Sequence, residues 1–104
     1  MVGGEFDFLI ELIDSFLEDA PQLLAELDHG VSQGDADVVH RVAHSLKSNG
    51  ADFGATQFTE LCRELELRGK SGNLDHAAED ALQIKVEYER VRAALISVRN
   101  KGNL

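Results

Sequence analysis

The chain has 104 residues, one cysteine, one proline and six aromatic residues, and a formal charge of −9. That length holds one small domain with a single core, and the scarcity of proline and aromatics excludes a Pro-rich disordered chain and disfavours a β-sandwich. Ten Asp or Glu and no Lys or Arg fall between Met1 and Asp37, a surface that repels phosphate backbones and anionic lipid, so neither nucleic acid nor membrane is an expected partner. No apolar run reaches membrane-spanning length, no signal peptide is visible, and the lone Cys62 forms no internal disulfide and no metal-ligand spacing. The cytoplasm is the expected compartment, and Cys62 reads as a small buried apolar residue. Met1 to Gly4 reads as a flexible or vector-derived lead, residues 5–100 as the domain, and residues 101–104 as a tail.

From Glu5 to Gln33, apolar residues at Phe6, Leu9, Ile10, Ile13, Leu17, Ala20, Leu23, Leu24, Leu27 and Val31 follow the i, i+3, i+4 rule of a buried helix face. Pro21 cannot donate to the Leu17 carbonyl, which predicts a kink near Leu17 to Ala20 in an otherwise continuous helix. A second stripe, Phe8, Leu12 and Phe16, lies to one side of the first. Either a neighbouring helix covers it or part of it stays exposed as a docking patch for a partner, with Phe16 the candidate contact.

Gly34 and Asp35 read as a helix stop followed by an N-cap. The next helix buries Val39, Val42, Ala43, Leu46, Gly50 and Phe53 and ends at Gly54. The adjoining stripe, His40, His44, Lys47, Ser48 and Ala51, is polar or small and faces outward. A third helix, from Thr56 to about Arg68, buries Phe58, Leu61, Cys62 and Leu65, with Leu67 a further candidate for the same face. Gly69, Ser71, Gly72 and Asn73 read as a loop. A fourth helix, from Leu74 to Arg99, buries Leu74, Ala77, Ala78, Ala81, Ile84, Tyr88, Val91, Leu95 and Val98. Short connections make sequence neighbours antiparallel, so the fold class is all-α, an up-down-up-down four-helix bundle.

Among the four histidines, His29 and His76 lack organised neighbours. His40 and His44 are spaced i, i+4 as in a zinc pair, but Arg41 stands where the zincin motif needs glutamate and no third ligand is evident, so no metal is expected. His44 with Lys47 is different. Ser48, Gly50, Ala51 and Gly54 clear the helix after His44 of bulk, and a glycine inside a helix costs about 1 kcal/mol relative to alanine, a cost usually accepted where something approaches the backbone. His40, Ser48, Gly50 and Ala51 are accordingly candidate docking residues on a partner-facing strip: Ser48 and Ala51 lie on the face of His44, where an incoming partner benefits, while Gly50 also falls on the core face, where tight helix packing could explain it.

A neutral imidazole is a competent nucleophile near pH 7, and the phosphoramidate it forms carries added negative charge that a cation one turn away would balance. Lys47 is placed to do so. Antiparallel pairing about the turn near Phe53 to Ala55 puts the residue opposite His44 close to Leu65, which makes Glu66 a candidate acceptor for the second ring nitrogen. No Gly-rich phosphate loop and no acidic metal trio is present, so ATP and magnesium would have to come from a partner.

The run AHSLKSNGADFGA, Ala43 to Ala55, resembles the signature of histidine-containing phosphotransfer (HPt) domains, in which the phosphorylated histidine is followed at +3 by lysine, then by small residues, a hydrophobic residue and glycine. His44, Lys47, Ser48 to Ala51, Phe53 and Gly54 fill those places, with Ser48 where most members carry glycine. The segment Phe16-Leu17 to Pro21 and the Gly34-Asp35 turn are similar to the family as well. This resemblance implies a phosphocarrier without turnover of its own. It would accept a phosphoryl group on His44 from the aspartyl phosphate of a receiver domain and pass it to another receiver, with Lys47 stabilising charge and the receiver supplying Mg²⁺. Expected partners are response-regulator receiver domains and a hybrid sensor histidine kinase, and the protein is expected to be a monomer. Two other readings stay open: a helical adaptor in which His44 is incidental, and a kinase-fused domain phosphorylated directly by an ATP-binding module.

Overall fold

The structure, a computed structural model, describes residues 4–101. Of the expected lead and tail, residues 1–3 and 102–104 lie outside the described residues, while Gly4 and Lys101 are helical. Four helices follow one another: α1 (Gly4–Gln33), α2 (Ala36–Ala51), α3 (Thr56–Ser71) and α4 (Ala77–Lys101). Each helix packs on its chain neighbour, and α4 closes the ring by packing on α1. Among the described residues the backbones of the diagonal pairs stay apart, and across the core they meet through side chains, as Phe16 of α1 does with Phe58 of α3.

Local chemistry sets the boundaries. Glu5 and Asp7 place negative charge on the first turn of α1, where the helix dipole favours it. The helix then runs unbroken through Pro21 to Gln33. Gly34 takes φ +65°, a left-handed conformation that suits glycine, and the Asp35 N–H returns to the Gly30 carbonyl at 2.8 Å. Asp35 is the N-cap of α2, its carboxylate accepting from the Val38 N–H at 3.2 Å.

Three boundaries differ from the sequence-based expectation, the first being the end of α2, which stops at Ala51 and leaves Phe53 and Gly54 in the turn. The third helix continues through Gly69 to Ser71 and stops at Gly72, whose φ of +82° and N–H to the Arg68 carbonyl cap it. The fourth begins at Ala77 and not at Leu74. The Asn73 side-chain oxygen accepts the Asp75 N–H, and this local bond competes with a helical start. Leu74 precedes α4, half-buried, and its carbonyl takes the Ala77 N–H.

The core holds Ile13, Phe16, Ala20, Leu24 and Leu27 of α1, Val39, Val42, Ala43 and Leu46 of α2, Phe58, Cys62 and Leu65 of α3, and Ala77, Ala81, Ile84, Tyr88 and Leu95 of α4. The second stripe of α1 divides. Phe8 is 62% exposed and Leu12 half-buried, but Phe16 is 4% exposed. The Phe16 ring centroid lies 5.4 Å from that of Phe53, 6.1 Å from Phe58 and 5.7 Å from Tyr88. Phe16 is therefore the aromatic centre of the core and not a docking residue, because each of the other three helices or their turns supplies a ring to cover it. Of the expected core, Leu67 of α3 and Ala78 and Val98 of α4 face solvent.

Gly50 is also a core position. A Cβ there would sit 2.5 Å from Cδ1 of Phe58. Its missing side chain serves the packing of α3, which corrects its assignment to the partner-facing strip. A tighter contact occurs at the other end of the same helix pair, where a Cβ on Gly69 would lie 2.6 Å from the His40 amide nitrogen and 2.8 Å from its Cα. Those two contacts hold α2 and α3 together on either side of His44.

Candidate functional site

The site is built on the α2–α3 pair. Four of its side chains, His40, His44, Lys47 and Ser48, come from α2 at intervals that keep them on one face, and Glu66 comes from α3. His44 is exposed over 57% of its side chain. Its Nδ1 lies 2.6 Å from Oε2 of Glu66. The Lys47 ammonium lies 2.7 Å from the other carboxylate oxygen, and His40 Nε2 stands 3.9 Å from Oε2. Glu66 itself is only 12% exposed, so one nearly buried carboxylate anchors three basic side chains.

Burial pushes the Glu66 carboxyl towards its neutral form. Hydrogen bonds from Lys47 and His44, together with their charge, outweigh that effect and hold it below the usual glutamate value. An ionised carboxylate only accepts hydrogen bonds. His44 Nδ1 therefore carries the proton and donates it, and in the neutral ring Nε2 keeps its lone pair.

Antiparallel pairing thus brings Glu66 onto His44 as its spacing suggests. Ser48 and Ala51 are exposed on the same side, and His40 is half-exposed. Phe16 and Gly50 lie inside. Sequence reasoning missed Gly69, read as loop. The pairing that opposes His44 to Leu65 also opposes His40 to Gly69, and a glycine across from a helix backbone was the available signal. Arg41 turns away to Glu26 of α1 at 3.6 Å, and Arg63 is held by Glu60 at 3.0 Å, so neither basic residue joins the cluster. Cys62 is no alternative nucleophile. Burial, with the charge of Glu66 adding to it, pushes its thiol up to about 12.

Fold and site together define a four-helix bundle that presents one oriented imidazole at its surface. The family model described as the Hpt domain matches residues 11–94, and the chain belongs to that family. Among solved structures, it is similar to histidine-containing phosphotransfer protein B (HptB) from Pseudomonas aeruginosa PAO1, with 28% identity and a TM-score of 0.87 over 94% of this chain and 84% of that one. No curated protein matches it.

Proposed function

We propose that this chain is the phosphohistidine carrier of a two-component phosphorelay, with His44 as the residue that carries the phosphoryl group. The observation that carries the reading is the 2.6 Å contact from His44 Nδ1 to Glu66 on an otherwise exposed ring. It fixes the tautomer and leaves Nε2 facing outward.

In the transfer, Nε2 attacks the phosphorus of a receiver's aspartyl phosphate. The N–P bond forms as the acyl P–O bond breaks, and the aspartate leaves with the electron pair. Nδ1 keeps its proton, so the ring gains positive charge opposite the Glu66 carboxylate. Lys47, held on Oε1, has N–H donors left for a phosphoryl oxygen. Reversal with a second receiver completes the relay, and the protein needs no turnover of its own.

The receiver supplies Mg²⁺ and the acidic pocket that holds it. Phosphoryl groups on such relays originate in ATP through a sensor kinase, which places the exchange in the cytoplasm, and a monomer keeps the face of His44 open to each partner in turn.

A phosphorylated receiver domain tests this. Incubated with the protein, it should yield an acid-labile, base-stable phosphate on wild type and none on His44→Gln. Equal label on both would assign the phosphate elsewhere, and no label on either would favour the adaptor reading. Label that appears with a kinase module alone, without a receiver, would favour the kinase-fused reading.

A further inference from the structure

We infer that Ser48 is a phosphoryl-binding residue of the transfer site: its hydroxyl donates a hydrogen bond to an oxygen of the group carried on Nε2 of His44. The inference rests on the reading of His44 as phosphoryl acceptor.

Helix geometry divides the surroundings of His44 into two flanks. With about 3.6 residues per turn, the residue three places on falls about 60° to one side of a given position and the residue four places on about 40° to the other. Lys47 therefore lies on one flank of His44 and Ser48 on the opposite one. Contacts with α3 identify the first. Lys47, 2.7 Å from Oε1 of Glu66, and His40, 3.9 Å from Oε2, both turn to that helix. Arg41 marks the second flank, since it reaches Glu26 of α1 at 3.6 Å.

The ring of His44 spans the two. Its Nδ1 is held 2.6 Å from Oε2 of Glu66, and the two nitrogens of an imidazole direct their hydrogen-bonding sites away from one another. Nε2 is thus aimed away from α3, and a group bonded to it lies on the side of Ser48. Each Cβ on a helix is tilted towards the N-terminus, which inclines the Ser48 hydroxyl towards the turn that carries His44, with about 5–6 Å between the two Cβ atoms. A phosphoryl group extends from Nε2 by one N–P and one P–O bond, which brings its oxygens across that gap.

The other donors of this flank are already committed. Arg41 is engaged by Glu26, and Ser45 gives its hydroxyl to the Arg41 carbonyl at 3.3 Å. Ser48 is exposed, and its hydroxyl has no protein partner among the described residues. In a chain of charge −9, with the Glu66 carboxylate beside the ring, an added phosphoryl charge is stabilised by each donor that reaches it. Exposed Ala51, one turn further on, clears the strip for a partner without offering a donor. Ser48 does both.

The test is the equilibrium of phosphoryl exchange with a receiver domain, measured at concentrations where the free proteins dominate. Contacts made only while the two proteins are docked speed or slow both directions alike and cancel from that ratio. A bond to the phosphoryl group in the free phosphoprotein does not cancel. Ser48→Ala should shift the ratio towards the phosphorylated receiver by roughly threefold to tenfold, the size of one hydrogen bond to a charged group at an exposed site. Alanine favours the helix, so the shift would not reflect unfolding. Ser48→Thr, which restores the hydroxyl, should recover most of it. Ser97→Ala, on the exposed side of α4, is the control and should leave the ratio unchanged. An unshifted ratio in Ser48→Ala, even with slower exchange, would make Ser48 a docking residue only and overturns the inference. So does a shift as large in Ser48→Thr or in Ser97→Ala.

If wild type takes no phosphate from the receiver, the functional reading fails, and the inference is decided on protein labelled with phosphoramidate, which phosphorylates imidazoles directly. Comparison with His44→Gln identifies the share of label on His44. A hydrogen bond to the phosphoryl oxygens favours the bound group over the loose transition state of its loss. Severalfold faster loss of that label from Ser48→Ala than from wild type supports the contact, and equal lifetimes overturn it.

Discussion

Glu66 is one residue out of the chain's 19 Asp and Glu, and it is the one whose surroundings make its charge consequential. Its folded-state carboxyl ionises at lower pH than the 4.5 of an ordinary glutamate. Below that value the unfolded chain therefore binds more protons at this position than the folded protein does. Its contribution to stability is complete above 4.5 and is lost as the pH falls through the folded value. The stability difference between wild type and Glu66→Gln, measured by urea unfolding, should shrink as the pH drops from 6 towards 3. A difference that stays constant over that range would mean the carboxylate is not held by Lys47 and His44. At this scale His44, the proposed phosphoryl acceptor, stands out in the sequence by its small, outward neighbours, and its contact with Glu66 was legible from the antiparallel pairing. The 3.9 Å approach of His40 to the same carboxylate was not, because spacing along α2 does not say how far α3 stands away.

That distance is set at the scale of the element. Four amphipathic periods were enough to count the helices, and the Gly34-Asp35 and Gly54 signals marked two of the three turns where they occur. The third turn was placed too early because Gly69, Ser71, Gly72 and Asn73 together look like a loop. Only Gly72 has the left-handed backbone of a turn, while Gly69 is buried in α3 against His40. Glycine at such a place serves close packing and not chain reversal, and single-chain periodicity does not separate the two uses.

The Gly69→Ala variant decides between them. Helix propensity alone would stabilise α3 by about 1 kcal/mol, but a methyl group driven into the His40 backbone costs about 1–3 kcal/mol in displaced helices. The variant should melt at a lower temperature than wild type. A higher melting temperature would show that α2 and α3 do not approach as closely as described.

On the scale of the whole molecule, the helices are unequal. The 30 residues of α1 and 25 of α4 outrun the 16 of α2 and of α3, giving a body of 49 × 21 × 20 Å. Lys85 to Asp28 at 2.9 Å and Arg99 to Asp14 at 2.8 Å tie the long pair along its surface, although such exposed pairs each contribute little. Cohesion comes from the aromatic group around Phe16, which joins α1, the α2–α3 turn, α3 and α4. Truncation by Phe16→Ala should cost about 3–5 kcal/mol in chemical unfolding. A loss below about 1 kcal/mol would be the value of a surface residue and would return Phe16 to the exterior.

The helix that carries His44 is braced by α1 on one side and α3 on the other, and its backbone stays away from that of α4. Changes on the outer surface of α4 accordingly reach His44 through the shared core and the packing of its two neighbours. Provided Ala77, Ala81, Ile84, Tyr88 and Leu95 keep their places inside, α4 is the part of this fold on which sequence drift bears least on the proposed transfer. The α2–α3 pair, by contrast, has its divergence limited at both ends by two residues without side chains.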